Sequence, residues 1–212
     1  MLGILGGTFD PVHFGHLRPA LDIQQALGLE EVRLLPCHIP PHRPPPLADA
    51  AQRVAMLEAA VRNYPEFSID RRELERDGPS WMFDTLTSLR DELGSRGLCL
   101  LIGMDTFHGL PTWHRWHELI DLCHMVVMTR PGSEVRAAGE LEDFIGLHRV
   151  VDPAELESHA AGRILFHDVT QLEISGTRIR ALLSKGENAG FLVPETVLEI
   201  IRYEGLYQAG SD

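Results

Sequence analysis

Basic residues are in short supply: 19 Lys and Arg stand against 31 Asp and Glu, leaving a formal charge of −12 over 212 residues. Affinity for phosphodiester backbones depends on many clustered cations, so this balance disfavours a general nucleic-acid binder. A small anionic ligand needs only a local basic pocket. Cysteine is equally sparse, since Cys37, Cys99 and Cys123 are odd in number and share no C-x-x-C spacing. Neither a disulfide framework nor a zinc ribbon is indicated, and a reducing cytoplasm is the expected compartment. No apolar run approaches the roughly 20 residues of a membrane span, and Met1 to Gly7 lacks the basic and apolar regions of a signal peptide. No membrane partner is expected. The 44% hydrophobic content is enough for a real core, and the length suits one folded domain over residues 1–212. Assembly into a homo-oligomer is compatible with this composition.

Along the chain, Leu2 to Leu5 is a short apolar run broken by Gly6 and Gly7, which predicts a buried strand ending in a tight loop. Leu17, Ala20, Leu21, Gln24 and Leu27 recur at helical spacing with Gly28 as a stop, and Val32 to Leu35 reads as a second strand. The unit is β-α-β. Further strands are expected at Phe67 to Asp70, Leu98 to Ile102, Met125 to Met128 and Ile164 to Phe166, with helices at 49–62, 82–93 and about 114–121. Two more helices are expected at Thr177 to Ser184 and Pro194 to Tyr203. This alternation predicts an α/β fold, a Rossmann-like, doubly wound parallel sheet with helices on both faces and a C-terminal helical segment. The run Ile39-Pro-Pro-His-Arg-Pro-Pro-Pro46 predicts a stiff extended loop beside the ligand crevice, suited to a lid.

Two segments carry chemistry. In Gly6-Gly-Thr-Phe-Asp-Pro-Val-His-Phe-Gly-His16 the glycines allow close backbone approach to an anion, and the following helix offers N–H groups and the positive end of its dipole. His13 and His16 stand just before that helix, where imidazoles can donate to phosphate oxygens. In Ile174-Ser-Gly-Thr-Arg-Ile-Arg180, Ser175 or Thr177 can cap a helix whose first turns hold Arg178 and Arg180. Cations there oppose the helix dipole, and a bound anion would resolve the conflict.

The first segment resembles the H-x-G-H signature of the nucleotidyltransferase superfamily, and the second resembles its I-S-x-T-x-x-R signature. More narrowly, Pro40-Pro-His-Arg43, Ser80 to Leu86, Gly103-Met-Asp105, Pro111-Thr-Trp113 and Ile201 to Tyr207 make the chain similar to bacterial nicotinate mononucleotide adenylyltransferases. That family often has Lys where Arg43 stands, Ser where Gly176 stands and Tyr where His114 stands. The resemblance implies that His13, His16 and Arg180 carry catalysis by holding and stabilising the phosphates. It implies an ATP site at Gly6, Gly7, Thr8, Phe9, Gly103, Asp105, Ser175 and Thr177, and a mononucleotide site at His42, Arg43, Asp84, Thr85, Trp113 and His114. The partners would be ATP and nicotinate mononucleotide, with Mg²⁺ arriving on ATP because no carboxylate cluster suggests a protein cage. For the pyridine ring, Trp113 would be a stacking platform, while backbone N–H groups near Asp84 and Thr85 would read the carboxylate.

Other readings stand beside this one. Pantetheine-phosphate adenylyltransferases commonly have Thr at the place of His13, and cytidylyltransferases carry an R-T-x-G-I-S second motif; this chain has neither. A zinc hydrolase built on His13, His16, His38 and His42 lacks the i, i+4 helical spacing of H-E-x-x-H. A nucleotide sensor that kept the fold without turnover is the third.

Overall fold

The computed structural model describes residues 1–41, 44–132 and 137–209. Strand β1 (Leu2–Gly7) leads through α1 (Phe14–Ala26) to β2 (Glu31–Pro36), then α2 (Ala50–Val61) and β3 (Phe67–Ile69). The chain continues through α3 (Met82–Leu93), β4 (Leu98–Gly103), α4 (Met104–His108), two 3₁₀ turns at Leu110–Thr112 and Trp116–Glu118, and α5 (Leu119–Leu122). It closes with β5 (His124–Thr129), α6 (Glu140–His148), β6 (Arg149–Val150), α7 (Ala154–Glu157), β7 (Ile164–Asp168), α8 (Gly176–Ser184) and α9 (Glu195–Tyr203).

The sheet has seven strands in the order β3-β2-β1-β4-β5-β7-β6, and every pairing is parallel. Because side chains alternate along a strand, each central strand feeds two cores. Cys99, Leu101, Val126 and Met128 join a layer with α1, α2, α8 and α9, where Ile23, Met56, Leu57, Ile179, Val197 and Ile201 are buried. Leu98, Leu100, Met125 and Val127 face the other way, onto Leu86 and Leu89 of α3, Phe107 of α4 and Phe144 of α6. The expected doubly wound parallel sheet is the observed one. β2 and β3 lie outward of β1 in one direction, and β5, β7 and β6 lie outward of β4 in the other, so the order reverses between β1 and β4. Ligands of such sheets bind at the carboxyl ends of the strands at that reversal.

Gly28 stops α1 as its position predicts, at φ +56°. Asp49 and Gln52 start α2 with a reciprocal capping box. The helix expected at about 114–121 is instead a 3₁₀ turn followed by the four-residue α5. Arg115 adopts a left-handed conformation, φ 53° and ψ 38°, which interrupts any continuous helix from residue 114. Between residues 130 and 163 the structure adds α6, β6 and α7. Leu141, Phe144 and Ile145 stand at helical spacing and are buried, whereas a two-residue strand leaves no periodic signal.

Candidate active site

Both motifs lie where the strand order reverses. The first leaves the carboxyl end of β1, and Gly103 and Asp105 leave the carboxyl end of β4. After Gly7 the backbone turns sharply: Phe9 is buried at φ 50° and the Asp10–Pro11 peptide is cis. A Cβ at Gly7 would lie 3.0 Å from the Phe9 ring, and one at Gly6 would lie 3.0 Å from Met82 Cε. The glycines thus make room for neighbouring side chains, a packing demand that the expectation of close anion approach did not include. The Met82 contact also ties the first motif to the start of α3.

His13 precedes α1 and stacks on His16, with ring centroids 3.7 Å apart and planes inclined by 23°. Phe9 meets His16 edge-on at 5.1 Å. Gly15 permits this approach, because a Cβ there would lie 2.9 Å from His13 Nδ1 and 3.0 Å from the Ile174 carbonyl. That second contact shows how closely the two motifs abut. His13 is 4% exposed, its Nδ1 is buried without a hydrogen-bond partner among the described residues, and burial pushes its pKa down to about 4. It is therefore neutral at physiological pH, holding one N–H donor in a desolvated position. The α1 N-terminus has neither a side-chain cap nor an acidic residue in its first turn, which suits an anion.

The second motif starts α8. Ser175 is the cap, its Oγ accepting from the Arg178 amide at 3.3 Å. Thr177 and Arg178 are exposed. Arg180 reaches back into the first motif, where its Nη1 donates to the Asp10 carbonyl at 2.6 Å and lies 3.6 Å from Asp10 Oδ2. Gly176 fits this contact, since a Cβ there would sit 3.0 Å from the Asp10 carbonyl and 3.2 Å from Arg180 Nη1.

The Asp10 carboxylate is buried and heavily used. Oδ1 accepts from Tyr207 Oη at 2.7 Å and from the Ala48 amide at 3.1 Å, while Oδ2 accepts from the Leu47 amide at 2.9 Å. Arg53, 1% exposed, donates to the Thr8 carbonyl at 2.9 Å. Asp10, Arg53 and Tyr207 are site residues that the sequence reading missed. Arg53 had a signal: it shares the inward face of α2 with Met56, Leu57 and Ala60, where a lone guanidinium calls for an acceptor.

The 80–86 and 113–114 blocks also come together. The His114 ring lies 5.1 Å from Trp81 and 6.4 Å from Phe83, and the Arg115 guanidinium sits 3.6 Å over the Phe83 ring. Trp113 is half-buried, with its covered side on the α3–α4 core. Asp105 and Asp84 are exposed in the first turns of α4 and α3. Thr85 is a correction to the backbone-donor idea. Its amide donates to the Trp81 carbonyl at 3.2 Å, and its buried hydroxyl donates to Glu73 Oε1 at 2.7 Å. One residue too far into the helix, its N–H has an acceptor on the preceding turn. His42 and Arg43 lie outside the described residues.

Among the described residues no three His, Cys, Asp or Glu side chains cluster to hold a metal, and no helix is long and apolar enough to cross a membrane.

The His13 site generates a prediction. Its folded pKa of about 4 lies below the ordinary 6.5, so the unfolded chain binds more protons between those values and stability falls as pH drops through that window. The loss from this group should be on the order of 3 kcal/mol. Denaturant unfolding of wild type and His13→Gln at pH 7 and pH 4 checks it: the variant should lose correspondingly less, and parallel losses would contradict a desolvated His13.

The model of the cytidylyltransferase-like family matches residues 4–182. A Methylococcus capsulatus protein named "Probable nicotinate-nucleotide adenylyltransferase" is 50% identical over 208 residues, covering 98% of this chain and 99% of its own. Its namesake from Aeromonas hydrophila is 50% identical over 207 residues, covering 98% and 97%. Among solved structures, Plasmodium falciparum nicotinic acid mononucleotide adenylyltransferase complexed with APC superposes with a TM-score of 0.70 at 16% identity, covering 97% of this chain and 96% of that one. The same enzyme complexed with NaAD gives 0.68 at 15% identity, again covering 97% and 96%. These two establish likeness of fold; the sequence relatives carry the assignment. With both signature motifs meeting at the reversal of a parallel sheet, the chain belongs to the nicotinate-nucleotide adenylyltransferase family of cytidylyltransferase-like nucleotidyltransferases.

Proposed function

We propose that the protein transfers the adenylyl group of ATP to nicotinate mononucleotide, giving nicotinate adenine dinucleotide and pyrophosphate as a step of NAD biosynthesis. The observation that carries this reading is the junction of the two motifs, where His13 stacks on His16 at the start of α1 and Arg180 reaches back to the Asp10 carbonyl. In the reaction, an oxygen of the mononucleotide phosphate bonds to the α-phosphorus of ATP as the bond to the β-phosphate bridging oxygen breaks. Pyrophosphate leaves with that electron pair. The attacking phosphate is already ionised, so no protein nucleophile is needed, and rate comes from alignment and charge stabilisation.

His16 is assigned to the α-phosphate and neutral His13 to a neighbouring oxygen through its N–H. Arg180, with Ser175 and Thr177, would hold the phosphates from the α8 side, and Gly103 and Asp105 would approach the ribose. Gly6 to Phe9 shape the floor. Trp113 and His114 would hold the pyridine ring, with the first turn of α3 around Asp84 beside it; His42 and Arg43 remain assigned through the resemblance alone. A divalent metal accompanies the triphosphate in nucleotidyltransferases of this family. We propose Mg²⁺, which would arrive with ATP and offset the charge of its phosphates, a role that would need no protein cage. Three free cysteines suit a reducing cytoplasm.

Purified protein incubated with Mg·ATP and a panel of mononucleotides plus phosphopantetheine should give a dinucleotide from nicotinate mononucleotide, identified by mass. Adenylylation of phosphopantetheine alone would overturn the reading. Activity should disappear on chelation and return with Mg²⁺ alone; a need for zinc would favour the hydrolase alternative.

His16→Ala should lower kcat by about 10²-fold, with a smaller effect on substrate KM, because its hydrogen bond strengthens as charge develops. Arg180→Ala should lower kcat and also raise the KM for ATP, since a fixed guanidinium binds ground-state phosphate too. A loss below tenfold for His16→Ala would remove it from the mechanism.

Discrimination at the pyridine ring follows the same logic. Stacking is indifferent to a small substituent, so Trp113→Ala should weaken nicotinate and nicotinamide mononucleotides by similar factors. Donors placed to meet a carboxylate leave the NH₂ of the amide facing other donors and unpaired, so wild-type kcat/KM should favour nicotinate mononucleotide by at least about 10²-fold. Equal turnover of the two would refute carboxylate reading.

A further inference from the structure

After α9, residues 204–207 form a turn that brings Tyr207 to the first motif. Tyr207 there has φ 63° and is 6% exposed, and its hydroxyl crosses 197 positions of sequence to donate to Asp10 Oδ1 at 2.7 Å. A phenylalanine would fill the same apolar space, so packing alone does not account for the hydroxyl. Burial and the neighbouring carboxylate push the Tyr207 pKa far upward, and the hydroxyl therefore keeps its proton and remains a donor at physiological pH.

What Asp10 supports gives that bond a purpose. Arg180 contacts Asp10 twice, through the main-chain carbonyl at 2.6 Å and opposite Oδ2 at 3.6 Å. The other donors to the carboxylate are the Leu47 and Ala48 amides, which come from the stretch entering α2. An acceptor with this many donors has little freedom to rotate, and a guanidinium docked on it inherits the constraint.

We propose that Tyr207 is a positioning residue of the ATP site: by fixing Asp10, it sets the placement of the Arg180 guanidinium, so the segment after α9 governs ATP affinity without touching ATP. The inference rests on the adenylyltransferase reading. Its kinetic signature is asymmetric, because a displaced Arg180 affects ATP while the stacking surface of Trp113 is left alone.

The test is Tyr207→Phe, alone and with Arg180→Ala, under steady-state conditions with Mg·ATP and nicotinate mononucleotide. Loss of one hydrogen bond of ordinary strength predicts an ATP KM raised about fivefold, with the mononucleotide KM changed less than about twofold. In the Arg180→Ala background Tyr207→Phe should produce no further loss, since the group it positions is already gone. Equal rises in both KM values, multiplying losses in the double variant, or a lowered Tm with unchanged KM for ATP would each overturn the proposal and leave Tyr207 a core residue. Should Tyr207→Phe fail to fold, 3-fluorotyrosine placed at position 207 alone keeps the shape of the ring and changes only the donor strength of its hydroxyl. An ATP KM that shifts while the mononucleotide KM stays supports the proposal, and an unshifted ATP KM defeats it. Wild type that fails to turn over nicotinate mononucleotide would strike the functional reading itself; active wild type with an unaffected Tyr207→Phe would strike only this inference.

Discussion

A buried carboxylate must be compensated, and the compensation of Asp10 organises this molecule. Leaving an ionised carboxylate without partners in a protein interior costs several kcal/mol. Here the partners come from three distant places: the adjacent Leu47 and Ala48 amides and the Tyr207 hydroxyl donate to it, and the Arg180 guanidinium faces it at 3.6 Å. The loop after β1, the entry to α2, the second motif and the turn after α9 are thereby drawn to one point. With its lone pairs committed, Asp10 is poorly suited to be a general base, and its contribution is geometric. Cutting a hydrogen bond to a charged group costs about 1.5–3 kcal/mol, so any of these segments that drifts away meets a real restoring force.

The sheet supplies the other half of the arrangement. In the seven-stranded parallel sheet the central strands β4 and β5 are almost wholly buried, and the carboxyl ends of β1 and β4 lie where the order reverses. The loop after β1 can hold Phe9 at φ 50° because the ring is 1% exposed and finds its space over Gly7. A non-glycine residue in that region costs of order 1–3 kcal/mol and persists only where surroundings enforce it. Packing of Phe9 offsets that cost, and its edge lies against His16. The left-handed turn thus places the ring that packs against the His16 imidazole.

Legibility followed the physics of each signal. The strands were readable because a doubly buried strand is a short apolar run with turn residues behind it, as at Leu98 to Ile102. α6 had a signal in Leu141, Phe144 and Ile145 that went unread, and two-residue β6 had none. The break at Arg115 was hidden, because a left-handed arginine is set by tertiary context, here the Phe83 ring and Glu118. In the site, His13, His16 and Arg180 were visible because their residue types carry the chemistry at motif spacing. Tyr207 was quoted only as part of a matching block, and Asp10 as a letter of the motif. Their roles depend on a contact across 197 positions, which no local pattern encodes.

The same geometry explains how so acidic a protein can receive a triphosphate. Long-range attraction is weak help at physiological ionic strength, where charges more than about 8 Å apart are largely screened. What matters is the local field where the two motifs abut, since the N-terminus of α1 carries no side-chain cap and Arg180 reaches the first motif through the Asp10 carbonyl. On the proposed reading His13 would add to this while neutral, since a desolvated N–H donor stabilises an anion without the cost of burying a permanent cation. Acidic residues on the outer surface do not cancel that arrangement. The formal charge of −12 over the whole chain and the donors at the motif junction act at different ranges, and an anion held at that junction would feel the shorter one.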